Sequence, residues 1–312
     1  MYHRIVVPLD GSRFGDAALP FAESIARRSG AAVDLVHVHL PEPRDPSQEA
    51  FTPYRYENVA AAEHDFDEEQ CAREEAEIAY RAQRVAKGAG VPAYVRILHG
   101  QVPTALAEDV AAACADLVVM ATHGGVSPSG ARIKSVADQL VRNLDRPLLL
   151  LRPDEAGQHQ GIEPGFSRIL VALDGSAFSE QILGPATELA QLYDARMVLV
   201  LVVSPAASIG IRTVGLDSAG LQARREESEA YLVRLAARLA ERVEEPDVVA
   251  IVGRHPAESI LACARREGAD LVAMATHGRG GLSRLLLGST AQEVVRRADR
   301  PLLLYRPVEH QA

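Results

Sequence analysis

The chain has 312 residues, 47% of them apolar and 24% charged, which is material for about two cores and excludes a disordered or collagen-like chain. The formal net charge is −9, Trp is absent and aromatics make up 4%. That argues against a nucleic-acid partner, which needs a basic face or a stacking platform.

In chain order, residues 5–9 form a continuous β-branched run of strand length, and residues 14–28 space their apolar side chains as a helix does, up to Gly30. Residues 32–39 read as a strand, 60–87 as a long charged helix closed by Gly88 and Gly90, and 93–98 as a strand. A short helix over 104–114, a strand over 117–121, a Gly-rich loop, a helix over 135–143 and a strand over 147–151 complete the first half. The order βαβαβαβαβ predicts an α/β fold, a doubly wound five-stranded parallel sheet with helices on both faces. The strands are apolar throughout, as in a sheet buried on both sides.

The second half repeats the first. Arg4-Ile-Val-Val-Pro-Leu-Asp-Gly-Ser12 returns as Arg168-Ile-Leu-Val-Ala-Leu-Asp-Gly-Ser176, 164 residues on. Ala115-Asp-Leu-Val-Val-Met-Ala-Thr-His-Gly124 returns as Ala269-Asp-Leu-Val-Ala-Met-Ala-Thr-His-Gly278, and Arg146-Pro-Leu-Leu-Leu-Leu-Arg-Pro153 as Arg300-Pro-Leu-Leu-Leu-Tyr-Arg-Pro307, both 154 residues on. The first copy therefore carries ten extra residues between its early and late parts, expected in the Pro- and charge-rich stretch 41–59. The predicted organisation is a domain over 1–153, a linker over 154–165 and a domain over 166–312.

Cys71, Cys114 and Cys263 are odd in number, widely spaced and without a CxxC. They read as small buried apolar residues of a reducing compartment, not as disulfides or zinc ligands. No apolar run nears the ~18 residues of a membrane span, and the first run meets Asp10 too soon for a signal peptide. The expectation is a cytoplasmic protein with no membrane partner.

In a doubly wound sheet ligands sit beyond the carboxyl ends of the strands, at the switch point. Two stretches of each copy end there: Asp10-Gly11-Ser12 or Asp174-Gly175-Ser176, and the loop after the fourth strand. In the second copy that loop holds Gly278, Gly280 and Gly281, and Gly288-Ser289-Thr290 opens a helix over 291–298. Glycine admits a ligand close to the backbone, and a helix N-terminus offers unpaired N–H groups to an anion. Ser289 as a simple helix cap within an ordinary loop fits the same pattern.

These spaced elements together resemble a tandem universal stress protein, over nearly the whole chain. The family's phosphate loop has the pattern Gly-x2-Gly-x9-Gly-Ser/Thr; the second copy has Ala275-x2-Gly278-x9-Gly288-Ser289. The resemblance implies an adenine nucleotide alpha hydrolase-like fold and ATP as ligand, with Mg²⁺ as its usual companion. It implies that Ala172, Leu173 and Asp174 line the nucleoside, that Val202 lies beside adenine, and that Met274 and Ala275 flank the nucleotide. Gly278, Gly288, Ser289 and Thr290 would hold the phosphates. The first-copy counterparts are Pro8, Leu9, Asp10, Val38, Met120, Ala121, Gly124 and Ser135. There Lys134 replaces the last glycine and Pro128 interrupts the loop, so that copy is expected to bind weakly, differently or not at all. Lys134 crowding the phosphate and Lys134 neutralising it are equally open.

Several residues keep a blander reading: Asp10 and Asp174 as caps of the helix that follows, Met120 and Met274 as core, His123 and His277 as loop hydrogen-bonders, Arg279 and Arg284 as exposed cations. No nucleophile triad, zinc signature or Walker pattern occurs. A nucleotide-dependent stress or regulatory protein is the leading expectation. A slow ATPase and an interaction module without ligand are the alternatives. The strands over 147–151 and 301–305 are apolar and terminal in each sheet, so mutual pairing, an intramolecular pseudo-dimer, is expected, with a homodimer of chains as a further association.

Overall fold

The computed structural model describes residues 2–39, 56–122, 136–152, 164–209, 212–215, 217–276 and 288–306. The first half runs β1 (Arg4–Leu9), α1 (Arg13–Asp16), α2 (Leu19–Ser29), β2 (Ala32–His39), α3 (Tyr56–Ala89), β3 (Ala93–His99), α4 (Val102–Ala112), β4 (Leu117–Ala121), α5 (Val136–Asn143) and β5 (Leu148–Leu151). The second runs β6 (Arg168–Leu173), α6 (Ala177–Glu180), α7 (Leu183–Tyr193), β7 (Arg196–Val203), β8 (Ala206–Ile209), β9 (Arg212–Gly215), α8 (Ser218–Leu239), β10 (Asp247–Val252), α9 (Pro256–Arg266), β11 (Leu271–Ala275), α10 (Ser289–Arg297) and β12 (Leu302–Tyr305).

Ten strands make one sheet in the order β10-β7-β6-β11-β12-β5-β4-β1-β2-β3. Inside each half the pairing is parallel. The halves meet where β12 and β5 pair antiparallel, with Leu303 opposite Leu149. The apolar strand ends expected to pair do so.

Side chains alternate along each strand between two cores. Ile169, Val171 and Leu173 pack with α2, α3, α7 and α8 residues such as Phe21, Ile78, Leu189 and Leu235. Leu170 and Ala172 pack on the other face, with Leu106 of α4, Leu140 of α5, Ile260 of α9 and Val294 of α10. Both cores run through both halves. The join is reinforced at Tyr193, whose hydroxyl donates to Ser24 Oγ at 2.9 Å and whose ring lies under the Arg28 guanidinium at 4.6 Å. On the opposite face Arg152, just past β5, donates to the carbonyls of Val295 and Arg296 at 2.8 Å and Ala298 at 3.4 Å. One half thus supplies the C-terminal cap of a helix in the other.

Three local expectations are revised. The helix over 14–28 divides into α1 and α2 because Pro20 occupies the first turn of α2 and cannot continue α1. The helix expected over 104–114 starts earlier, at Val102, with Pro103 in its first turn. The hairpin β8–β9 went unseen in the sequence, since four-residue strands are too short to show a period. The connection from His39 to Ala93 is ten residues longer than that from Val203 to Asp247, where the extra residues were expected.

A buried ion-pair cluster sits inside the first half. Asp34, 1% exposed, accepts from Arg96 at 2.7 Å and Arg4 at 3.3 Å, and Arg96 also binds Asp109 at 2.8 Å. Burial pushes the Asp109 carboxyl up, Arg96 opposes this, and Asp34 adds to it. In the second half Val198 and Val249 stand at the places of Asp34 and Arg96.

Candidate functional site

The chain leaves β6 towards α6 and α7 on one face, and leaves the neighbouring β11 towards α10 on the other. This divergence opens a crevice at the carboxyl ends of the two strands.

One wall is the turn after β6. Gly175 has φ +80, a left-handed conformation that suits glycine. Asp174 Oδ1 accepts from Ser176 N at 2.9 Å and from Ser176 Oγ at 2.6 Å, and Ser176 Oγ caps α6 by accepting from Ser179 N at 3.1 Å. The first half repeats this: Gly11 has φ +77, Asp10 Oδ1 accepts from Ser12 N at 2.9 Å and Oγ at 2.7 Å, and Ser12 Oγ accepts from Gly15 N at 3.1 Å. The helix caps are thus Ser12 and Ser176 and not the aspartates, which corrects one expectation; Asp10 and Asp174 hold the capping serines, which fixes where each carboxylate stands.

The floor is set by strand alternation. Ala172, Val202 and Met274 share the core face of α9 and α10. Leu173 points into the opposite core, so only its main chain borders the crevice. The first half follows suit, with Val38 and Met120 on the α4–α5 face and Leu9 on the other; alternation sets Pro8 with Val38. Met274 is 6% exposed and Ala275 7%, so the core role suspected for the methionine holds in the second half.

The other wall is the start of α10. Gly288 N donates to Thr276 O at 2.9 Å. Gly288 itself occupies the cap position, with φ −57 and ψ 143, and no side chain caps the helix. Ser289 is the first helical residue, so the simple-cap reading of Ser289 is set aside. A Cβ on Gly288 would lie 3.2 Å from Thr276 O, closer than ordinary contact. Thr290 follows, half-buried. α1, α6 and α8 each have a side-chain cap, from Ser12, Ser176 and Asp217; α10 keeps its first N–H groups without one.

A third element escaped the sequence reading. Gly253 follows β10 directly, and its amide donates to Val203 O at 3.0 Å. A Cβ there would collide with Ser259 Oγ and approach Val202 Cγ1 to 3.3 Å. α9 then starts with His255 at its cap position and no side-chain cap. The crevice is thus bordered on one face by two helix N-termini. The signal was available: a glycine between an apolar run and a proline. Gly278, Gly124, Ser135, Lys134, His123, His277, Arg279 and Arg284 lie outside the described residues.

Among the described residues no group of three or more His, Cys, Asp or Glu is arranged to hold a metal ion, and no helix is long and apolar enough to cross a membrane.

The family model described as "Universal stress protein family" matches residues 1–152 and again 165–306. The chain is 30% identical to Universal stress protein Rv1996 of Mycobacterium tuberculosis over 314 residues, 97% of this chain and 94% of that one. A universal stress protein of Thermus aquaticus is 36% identical over 141 residues, 45% of this chain and 99% of its own length. Among solved structures, a universal stress protein from Archaeoglobus fulgidus superposes with a TM-score of 0.65 at 18% identity, covering 98% of this chain and 97% of that one. On the two matches that between them span nearly all of its length, the chain belongs to the universal stress protein family.

Proposed function

We propose that the second half binds an adenine nucleotide, ATP first among them, and that occupancy regulates a stress response by favouring one state of the chain. The observation that carries this reading is the uncapped start of α10. Gly288 is held against Thr276 O on the same face as Ala172, Val202 and Met274. In this reading the phosphates rest on the N–H groups and hydroxyls of Ser289 and Thr290, with Gly278 at the near end of the loop. Asp174 takes the ribose and Val202 packs against adenine. The missing Cβ atoms let Gly288 close on Thr276 O and Gly253 close on Ser259 and Val202, which sets the two helix starts against the strand ends. Mg²⁺ would accompany the phosphates as their counter-ion. The first half, with Lys134 at the place of Gly288, is the weaker or altered site.

The test is release of bound small molecules from freshly purified full-length protein by denaturation, measured by absorbance and mass, beside calorimetric titration with ATP and AMP. Wild type and Gly288→Lys are compared. Adenine nucleotide near one per chain, lost in the variant, supports the reading. Nucleotide retained in the variant moves the main site to the first half. No nucleotide and no heat in the wild type leaves a ligand-free interaction module.

A further inference from the structure

A polar cluster on the far face of the first sheet takes no part in the nucleotide reading. His37 and His39 lie on β2 and point towards α3, where Glu74 meets them both. Glu74 Oε2 lies 2.6 Å from His39 Nδ1 and 3.4 Å from His37 Nε2, while Oε1 accepts from Gln70 Nε2 at 2.9 Å. The His39 side chain is 1% exposed and that of His37 13%. In the second half the same positions are Leu201 and Val203, both in the core.

His37 joins this cluster to the crevice. Its Nδ1 is 2.8 Å from the carbonyl oxygen of Leu9, the last residue of β1, next to the Asp10-Gly11-Ser12 turn. A carbonyl only accepts, so Nδ1 carries the proton and, in the neutral ring, Nε2 presents a lone pair to the Glu74 carboxylate. A second proton turns that contact into a charge-assisted hydrogen bond. His37 then ties α3 and the end of β1 to one ring. Among the described residues the other titratable or charged groups around it are these. His39 is on β2, and the His99 ring of β3 lies 5.5 Å from that of His39. Cys71 and Glu77 are one turn either side of Glu74 on α3. Asp10 ends the β1 turn. Arg81 of α3 binds Asp16 of α1 at 2.7 Å and donates to Gly11 O at 3.3 Å.

We infer that His37, set between Leu9 and Glu74, is a proton-operated clasp that fastens the Asp10–Ser12 turn to α3 in the first half alone. The second proton on His37 closes the clasp while Glu74 is ionised. The second half has no such clasp, because Leu201 and Val203 stand at these positions. The inference does not depend on nucleotide binding.

Hydrogen–deuterium exchange on the full-length, nucleotide-free chain with EDTA tests it, at pH 5.5 and 7.5 and corrected for intrinsic exchange rates. The expected result is a several-fold gain in protection at pH 5.5 over residues 9–16, with residues 173–180 unchanged. His37→Asn keeps a donor for Leu9 O and cannot gain a proton; the gain should vanish. Glu74→Gln keeps the partners of Glu74 without the charge, and the gain should vanish there too. An equal pH response in both halves, or one that survives either substitution, overturns the clasp.

Discussion

The Gly288 amide donates to the Thr276 carbonyl at 2.9 Å, so the stretch between them leaves and rejoins the fold at one point, the carboxyl end of β11. This bond fixes the start of α10 relative to the sheet without any side chain, and so leaves the helix N-terminus open.

Gly288→Lys should lower affinity for ATP at least tenfold, about 1.4 kcal/mol, with the far-ultraviolet circular dichroism unchanged. Gly288→Ala should cost about 1 kcal/mol of stability by crowding Thr276 O. Both are read by calorimetric titration and denaturant unfolding. A lysine variant that binds as tightly as wild type removes the phosphates from this helix.

ATP at a hundredfold excess over its Kd should stabilise the wild type by about 2.7 kcal/mol, and the same concentration should stabilise Gly288→Lys by about 1.4 kcal/mol at most. A thermal-shift series over ATP concentration checks this.

Arg152→Ala removes three hydrogen bonds from a guanidinium to the carbonyl end of α10. Burial holds the Arg152 guanidinium below its usual range without neutralising it. The expected loss is about 2 kcal/mol, read by urea unfolding. Arg152→Lys should recover only part of it, because an ammonium cannot span carbonyls as a planar fork does.

Leu303→Ala cuts into the seam between β12 and β5, where Leu303 and Leu149 are fully buried. The expected cost is about 3 kcal/mol, and unchanged stability would show that the seam contributes little.

Glu74 gives a sign for acid. Burial works to raise its carboxyl, but the hydrogen bonds from His39 and Gln70 and the charges of His39 and His37 outweigh it and hold it below the usual range. A carboxyl lowered in the folded state stabilises above its unfolded value, near 4.3, and that contribution is lost as pH falls through the folded value. Wild type should therefore lose stability more steeply below about pH 4.5 than Glu74→Gln, measured by urea unfolding from pH 6 to pH 3.

Much of the fold is legible in the sequence because the central strands β1, β4, β5, β6, β11 and β12 are short apolar runs and the unit is spelled twice. The repeat also carries structural residues. Asp116 and Asp270, inside the repeated Ala-Asp-Leu-Val, accept from the main chain at the start of β1 and β6, at the opposite end of the sheet from the crevice. The crevice is legible where glycine and helix start coincide, at Gly288. Which side chains face it is less so, since a sheet buried on both faces shows no alternation of polarity; Leu173 and Leu9 were grouped with residues on the other face for that reason. Gly253 was missed because its significance lies in contact with Val202, 51 positions away in the chain. The cluster at His37 was missed because two alternating histidines in a strand look like ordinary β-strand punctuation until Glu74 is brought across from α3.

The antiparallel seam between β5 and β12 has a consequence for how such a chain can change. A pair of identical subunits built on this seam would carry every substitution twice, once on each side of a twofold axis. Joined in one polypeptide, the copies are released from that rule. A histidine can enter at 37 while leucine stays at 201, and a buried Asp34 can arise opposite an unaltered Val198. The tandem chain keeps the interface of a symmetric pair and gives up its symmetry, so each copy can carry chemistry that the other lacks.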